Sequence, residues 1–263
     1  MAKKKVSIKL YLNDKVKPHK VAGIEHYPVY VRITYDRKNT MFKLSDKDGG
    51  GVTISKNLKN LDEYLSVDSF FNKHSYLPDF QSLLTYELDL VGEDNFQVKG
   101  FGDRVQNIYL QPVYSVLNLN DIFFDLLHGY LNEEKEIKKV WNATVNIYNP
   151  FRLYHMAKFD RPDLYSTMPD VQKQVVSTAV LFWLFCDENP SKIEDLTAEK
   201  WITGDYQARF LKFASHQLKR KTGTITDYRQ QDFFDDFTPP FNNGDKHLNI
   251  INLRLKQAVM ANM

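Results

Sequence analysis

The first 44 residues alternate between apolar and polar side chains, and this pattern limits the possible folds more than any other in the chain. Apolar residues recur at every second position over residues 6–12 and 29–35, and residues 40–44 are predicted to return as a third strand. Such alternation is typical of β-strands with one buried face. Residues 36–39 (DRKN) have the composition of a turn between the second and third stretches. We therefore predict a three-stranded antiparallel β-unit.

The same segment is strongly basic. Residues 1–43 carry eleven Lys and Arg side chains against three Asp and Glu, a net charge of +8. The whole chain is only +2, so residues 44–263 sum to −6. This asymmetry indicates an anion-binding β-unit at the start of an otherwise acidic protein.

Composition excludes several classes of protein. The chain is 43% hydrophobic and 26% charged, which favours a folded core over disorder. Its one cysteine, Cys186, excludes an intramolecular disulfide and a Cys-based zinc site, and we predict a buried thiol. The apolar run around it, residues 175–186, is shorter than the roughly 20 residues that a membrane span requires. No secretory signal pattern follows the N-terminal lysines, so we expect a cytoplasmic protein without membrane contact.

The pattern along the chain predicts an α+β fold in three segments. A basic β domain covers residues 1–48 and ends in the glycine-rich stretch 46–51. A β-rich middle segment covers residues 49–118, with a strand at Tyr86–Leu90 and a hairpin or meander over 96–117. A helical domain covers residues 119–263, where the apolar period changes toward 3.6. Its predicted helices cover residues 122–131, 133–146, 171–186, 205–221 and 249–260.

The pattern VSIKLYLN…YPVYVRITYDRKNTMFKL resembles the N-terminal arm-type DNA-binding domain of tyrosine recombinases from Bacteroidetes mobile elements. The likeness rests on the alternating first strand, the Tyr27-Pro28 strand opening, Arg32-Ile33-Thr34 and the basic turn, and it covers about one sixth of the chain. It implies that residues 1–48 form an arm-like domain. The basic side chains that would then face DNA phosphates are Lys9, Arg32, Arg37, Lys38 and Lys43.

The catalytic pattern of that family is not recognisable here. A recombinase needs an early Arg, a His-x-x-Arg and a Tyr nucleophile. His216 is followed by Lys219 where the family has Arg, and Tyr228 follows too closely to be the nucleophile. The resemblance therefore implies a recombinase-like arm without an active recombinase.

Two further clusters are candidate binding sites. Arg209, Lys212 and Lys219 recur on one face of the predicted helix 205–221, where they can contact nucleic acid or an acidic partner. The alternative is a solvated face with cations near the helix C-terminus. Asp121, Asp125 and His128 share a predicted helix face and can ligate a divalent metal, or can be a cap, a solvated acid and a helix-end His. We predict no metal and no cofactor.

These observations favour a non-enzymatic structural or assembly protein of a bacterial mobile element. The specific expectation is a phage virion component of the head–tail connector or ring type, cytoplasmic or incorporated into a virion. Its partners would be other protein subunits in an oligomeric assembly, with DNA contact through the basic domain. The abundance of Tyr and Phe agrees with protein–protein interfaces. The alternative is an arm-type DNA-binding accessory protein or a degenerate tyrosine recombinase.

Overall fold

A computed structural model describes residues 6–45, 50–74, 77–117, 166, 169–188, 196–217 and 244–263. The chain divides into two compact units. Unit 1 comprises Met1–Gln111, Thr197–Thr203 and Ala258–Met263, and unit 2 comprises Pro112–Leu196 and Gly204–Gln257. The predicted α+β class is confirmed, because an antiparallel sheet is followed by helices.

The sheet of unit 1 is built around one long central strand, β3. Its strands are β1 (Val6–Leu12), β2 (His19–Val21), β3 (Ile24–Tyr35), β4 (Lys38–Lys43) and β5 (Thr53–Ser55). The first half of β3 pairs with β2 and β5, and its second half pairs with β1 and β4, always antiparallel. The three predicted strands are confirmed as β1, β3 and β4, but they belong to a five-stranded sheet.

The hairpin between β3 and β4 follows directly from its turn. Asp36 and Arg37 both have left-handed φ values, 46° and 64°, and form a two-residue connection. A two-residue turn with left-handed φ values at both positions has a backbone twist that matches the twist of the flanking strands. The turn therefore aligns Tyr35 with Lys38. On the core side of β3, Val29, Val31 and Ile33 are completely buried.

Short helices complete unit 1. They are α1 (Leu61–Tyr64), α2 (Val67–Lys73), α3 (Phe80–Val91), α4 (Phe101–Arg104), a π-helical turn (Val105–Tyr109) and α7 (Ala198–Thr203). Helix α4 packs closely on β4, because a Cβ at Gly102 would lie 2.5 Å from the ring of Phe42. Glycine is needed there for the approach of the helix backbone to the sheet. The side chain of Thr197 accepts a hydrogen bond from the N–H of Lys200 and so caps α7.

The prediction of a β-rich middle segment is wrong. Residues 80–91 form helix α3, whose start is capped by Asp79 accepting from the N–H groups of Gln81 and Ser82. Residues 101–109 are helical and not a hairpin, and Gly100 begins α4 with a left-handed φ of 85°. Within the described part of residues 49–118, β5 is the one strand and the other elements are helical. Alternation over a few residues also occurs on a helix with one apolar face, and here helical packing prevails.

The described residues of unit 2 are helical. They form α5 (Val113–Val116), α6 (Asp170–Glu188), α8 (Tyr206–Gln217) and α9 (Gly244–Met260), the last of which ends beyond this unit. Three predicted helices are thus confirmed, and those predicted at 122–131 and 133–146 lie outside the described residues.

The core of unit 2 is aromatic, with one polar contact in it. The rings of Phe185 and Phe210 meet edge to face with centroids 5.5 Å apart. Cys186 is 2% exposed, which confirms the predicted buried thiol. The Thr178 hydroxyl donates to the Gln174 carbonyl at 2.7 Å, so it accepts from Nδ1 of buried His247 at 2.8 Å. This bond joins α6 to α9.

Candidate nucleic-acid interface

The strand register brings three of the predicted basic residues onto one face of the sheet. Lys9 of β1 lies directly opposite Arg32 of β3, which lies opposite Met41 of β4. Residues paired in this way point to the same side of a sheet. In the next row Tyr11 pairs with Tyr30, which pairs with Lys43. Lys9, Arg32 and Lys43 therefore share a face, which is opposite the buried one.

We call this surface the outer face. It consists of three rows of three side chains across β1, β3 and β4, and it contains no carboxylate. Its nine members are Ser7, Lys9, Tyr11, Tyr30, Arg32, Thr34, Asn39, Met41 and Lys43.

The cations of the outer face are accessible. Lys9, Arg32 and Lys43 are exposed, and Met41 between them is 59% exposed. Among the described residues no ion pair neutralises any of the three cations. Two like charges in a directly opposed cross-strand pair destabilise a sheet. Lys9 and Arg32 therefore repel each other and produce a positive potential. A bound anion would reduce this repulsion.

The other predicted site residues are not on this face. Arg37 lies in the turn, and Lys38 pairs with Tyr35, so its Cβ is on the core side of the sheet at the end of the hairpin. Arg209 and Lys212 lie on α8 in unit 2, where Arg209 approaches Asp205 at 3.9 Å and the ring of Tyr206 at 4.8 Å.

Two predictions concern residues that the structure does not describe. Lys219 and the candidate metal ligands Asp121, Asp125 and His128 lie outside the described residues. Among the residues that are described, no group of three or more His, Cys, Asp or Glu could hold a metal ion. None of the described helices combines the length and the apolar character needed to cross a membrane.

Sequence reasoning did not identify the polar and aromatic members of the outer face. These are Ser7, Tyr11, Tyr30, Thr34 and Asn39, together with Met41. The signal was present, because they occupy the positions that alternate with the buried residues of each strand. Grouping them requires the register between strands, which alternation alone does not supply.

A second cluster of ionisable groups is buried in unit 1. Arg104 donates to both carboxylate oxygens of Glu87, at 2.8 and 2.7 Å, and Tyr109 donates to the same carboxylate at 2.9 Å. Arg104 also donates to the Gln97 carbonyl at 2.8 Å. Glu87 and Tyr109 are fully buried and Arg104 is 2% exposed. This arrangement ties α3 to α4 and the π-helical turn, and its burial from solvent indicates a structural role.

The buried cluster predicts a loss of stability at alkaline pH. Burial, and secondarily the charge of Glu87, raises the pKa of half-buried Tyr86 from 10.0 to about 12. The pKa of Tyr109 is raised further, first by burial. Between pH 10 and 12 these tyrosines ionise in the unfolded chain before they do so in the folded one, so the free energy of unfolding falls as pH rises. Urea unfolding at pH 9 to 11.5 should show a smaller decline for Tyr86→Phe than for the wild type. An equal decline of the unfolding free energy in the two proteins would show that ionisation of Tyr86 does not cause the alkaline loss of stability.

No protein-family model matches the sequence, and no curated protein or solved structure is significantly similar to it.

Proposed function

We propose that the outer face binds duplex DNA through its phosphate backbone, as part of a DNA-binding accessory protein of a mobile element. The role requires positioning on DNA and no bond-making step. The observation that carries the proposal is the opposed pair of Lys9 and Arg32, with Lys43 in the next row and no carboxylate on the face.

The chemistry of the remaining side chains supports the same ligand. Eight of the nine residues of the outer face are Ser, Thr, Asn, Tyr, Lys or Arg. These are the types that donate hydrogen bonds to phosphate and sugar oxygens in protein–DNA complexes. Strands lie about 4.8 Å apart, so the face is about 10 Å across between its outer strands. That width is compatible with a major groove of about 12 Å. The resemblance of residues 6–44 to arm-type domains agrees with this proposal.

The test is the salt dependence of binding to a labelled DNA duplex, measured by fluorescence anisotropy. Three phosphate contacts predict that the affinity falls about 40-fold between 50 and 200 mM salt. An affinity that does not change with salt, or no binding at 50 mM salt, would contradict the proposal. Tighter binding to single strands than to the duplex would indicate base stacking on Tyr11 and Tyr30 instead.

A structural or assembly role, such as a ring component of a virion, is the second candidate. The observation that favours it is charge asymmetry, because residues 1–43 carry +8 and residues 44–263 carry −6. A basic face on one copy and an acidic surface on the next can make head-to-tail contacts, which form a ring when the rotation between successive copies closes. Sedimentation at low and high salt tests this role. Salt-sensitive oligomers without DNA would support it, and a monomer at all protein concentrations would exclude it.

A further inference from the structure

None of the strands that the structure describes covers the second edge of β1. Among these strands it pairs with β3 alone, and beyond the strand the N–H of Asn13 donates to the Pro28 carbonyl at 3.0 Å. Bonded and non-bonded pairs alternate along an antiparallel ladder. The backbone groups of Ile8, Leu10 and Leu12 therefore point away from β3, toward the free edge. Within the described parts of the chain, no hydrogen bond reaches them.

A groove of about 810 Å³ runs along this free edge within unit 1. One wall is residues 8–12 of β1. The opposite wall comes from the segment after β5 and from α1 and α2, and includes Lys56, Leu61, Leu65 and Val67. Five residues of extended chain are about 17 Å long. The groove thus combines a row of unpaired backbone donors and acceptors with a mixed wall, in which Leu61, Leu65 and Val67 are the apolar residues.

We propose that this groove binds an extended peptide segment of a partner protein, added to the sheet as a strand beside β1. Uncovered strand edges recognise peptides in this way, with backbone hydrogen bonds supplying affinity and alternate side chains supplying specificity. The inference concerns the edge of the sheet and does not depend on DNA binding by the outer face.

The groove also specifies the chemistry of the peptide. Side chains that continue the row of Ile8, Leu10 and Leu12 would lie on the apolar side of β1 and toward Leu61, Leu65 and Val67, so these positions of the peptide should be apolar. Side chains that continue the row of Ser7, Lys9 and Tyr11 would remain outside, and a carboxylate opposite Lys9 would form a favourable cross-strand pair. Asp14 lies beyond the far end of β1, and Asp62 lies on the helical wall. The acidic residue of the peptide is therefore expected beside Lys9, in a sequence that alternates apolar and acidic residues.

A second copy of the chain fits this edge less well. Its own β1 has helices α1 and α2 beside the free edge, with Leu61, Leu65 and Val67 lining the groove. Two copies joined edge to edge would have to accommodate both sets of helices beside the paired strands. A single extended strand brings no helices of its own.

The probe is a fluorescent nine-residue peptide in which Glu alternates with Val, compared with a peptide of the same composition in two blocks. We expect saturable binding of the alternating peptide at least ten-fold tighter than that of the block peptide. Methylating the backbone nitrogens at every second residue removes donors from one edge of the peptide at a time. One methylation pattern should weaken binding more than ten-fold and the other less than three-fold, because only one edge faces β1. Equal effects of the two patterns, or no binding, would overturn the proposal.

A charge exchange tests the contact with Lys9. Lys9→Glu should lower the affinity for the Glu–Val peptide about five-fold. A peptide in which Lys alternates with Val should bind this variant more tightly than it binds the wild type. Lys9 is exposed, so the fold should tolerate the change. If instead the protein forms a dimer that prevents the peptide from binding, a second copy occupies the edge and the proposal is wrong.

Discussion

Replacing Lys9, Arg32 and Lys43 together by Ala should lower the affinity for duplex DNA about 100-fold at 100 mM salt. Each of these side chains would lose a charge-assisted contact with a phosphate, and the slope of log affinity against log salt should become shallower by about 2.7. All three are exposed, so the folded state should remain intact. Anisotropy titrations from 50 to 200 mM salt give both quantities, and circular dichroism verifies folding.

A charge-matched control variant distinguishes a loss of affinity caused by the outer face from one caused by net charge. Lys15→Ala, Lys17→Ala and Lys20→Ala remove the same charge from exposed positions of the same basic segment, but none is on the outer face. This variant should lose less than about three-fold in affinity, through long-range attraction alone. If the two triple variants lose equal affinity, binding follows net charge and the outer face is not the site.

Part of the candidate site can be derived from the sequence. The two-residue turn at Asp36 and Arg37 aligns β3 with β4, which places Arg32 opposite Met41. The position of Lys9 opposite Arg32 cannot be obtained in this way. A long connection containing β2 separates β1 from β3, and alternation leaves their register open by steps of two residues. The outer face depends on this second alignment.

The main error of sequence interpretation has an equally specific cause. Phe80, Leu83, Leu84 and Glu87 form the buried side of α3. A buried carboxylate interrupts the apolar stripe by which a helix is recognised in a sequence. The apolar residues Tyr86, Leu88 and Leu90 then have the alternating pattern of a strand. The partner of Glu87 is Arg104, 17 residues later and outside any local window. The pairing of Glu87 with Arg104 permits a carboxylate on the buried side of α3, and the local sequence pattern does not reveal this pairing.

Glu87→Gln should destabilise the protein by about 3–5 kcal/mol, because it leaves the charge of Arg104 buried without its counter-ion. The substitution keeps the size of the side chain, and its amide oxygen can still accept from Tyr109, so the effect isolates charge. The described residues offer Arg104 no replacement counter-ion, since none of them accepts a hydrogen bond from its Nη1 and its side chain is 1% exposed. Urea unfolding measures the free energy.

Two further variants make this expectation decisive. Asp89→Asn removes a carboxylate from an exposed position of the same helix and should change stability by less than about 0.5 kcal/mol. The triple variant Glu87→Leu, Arg104→Met and Tyr109→Phe replaces the pair and the hydroxyl bonded to it by apolar side chains. It should recover most of the loss, because neither an uncompensated charge nor an unpaired hydroxyl remains. A cost below about 1 kcal/mol for Glu87→Gln would show that solvent reaches Arg104. A triple variant no more stable than Glu87→Gln would show that the polar cluster specifies how α3 packs on α4, and not merely that its charges compensate each other.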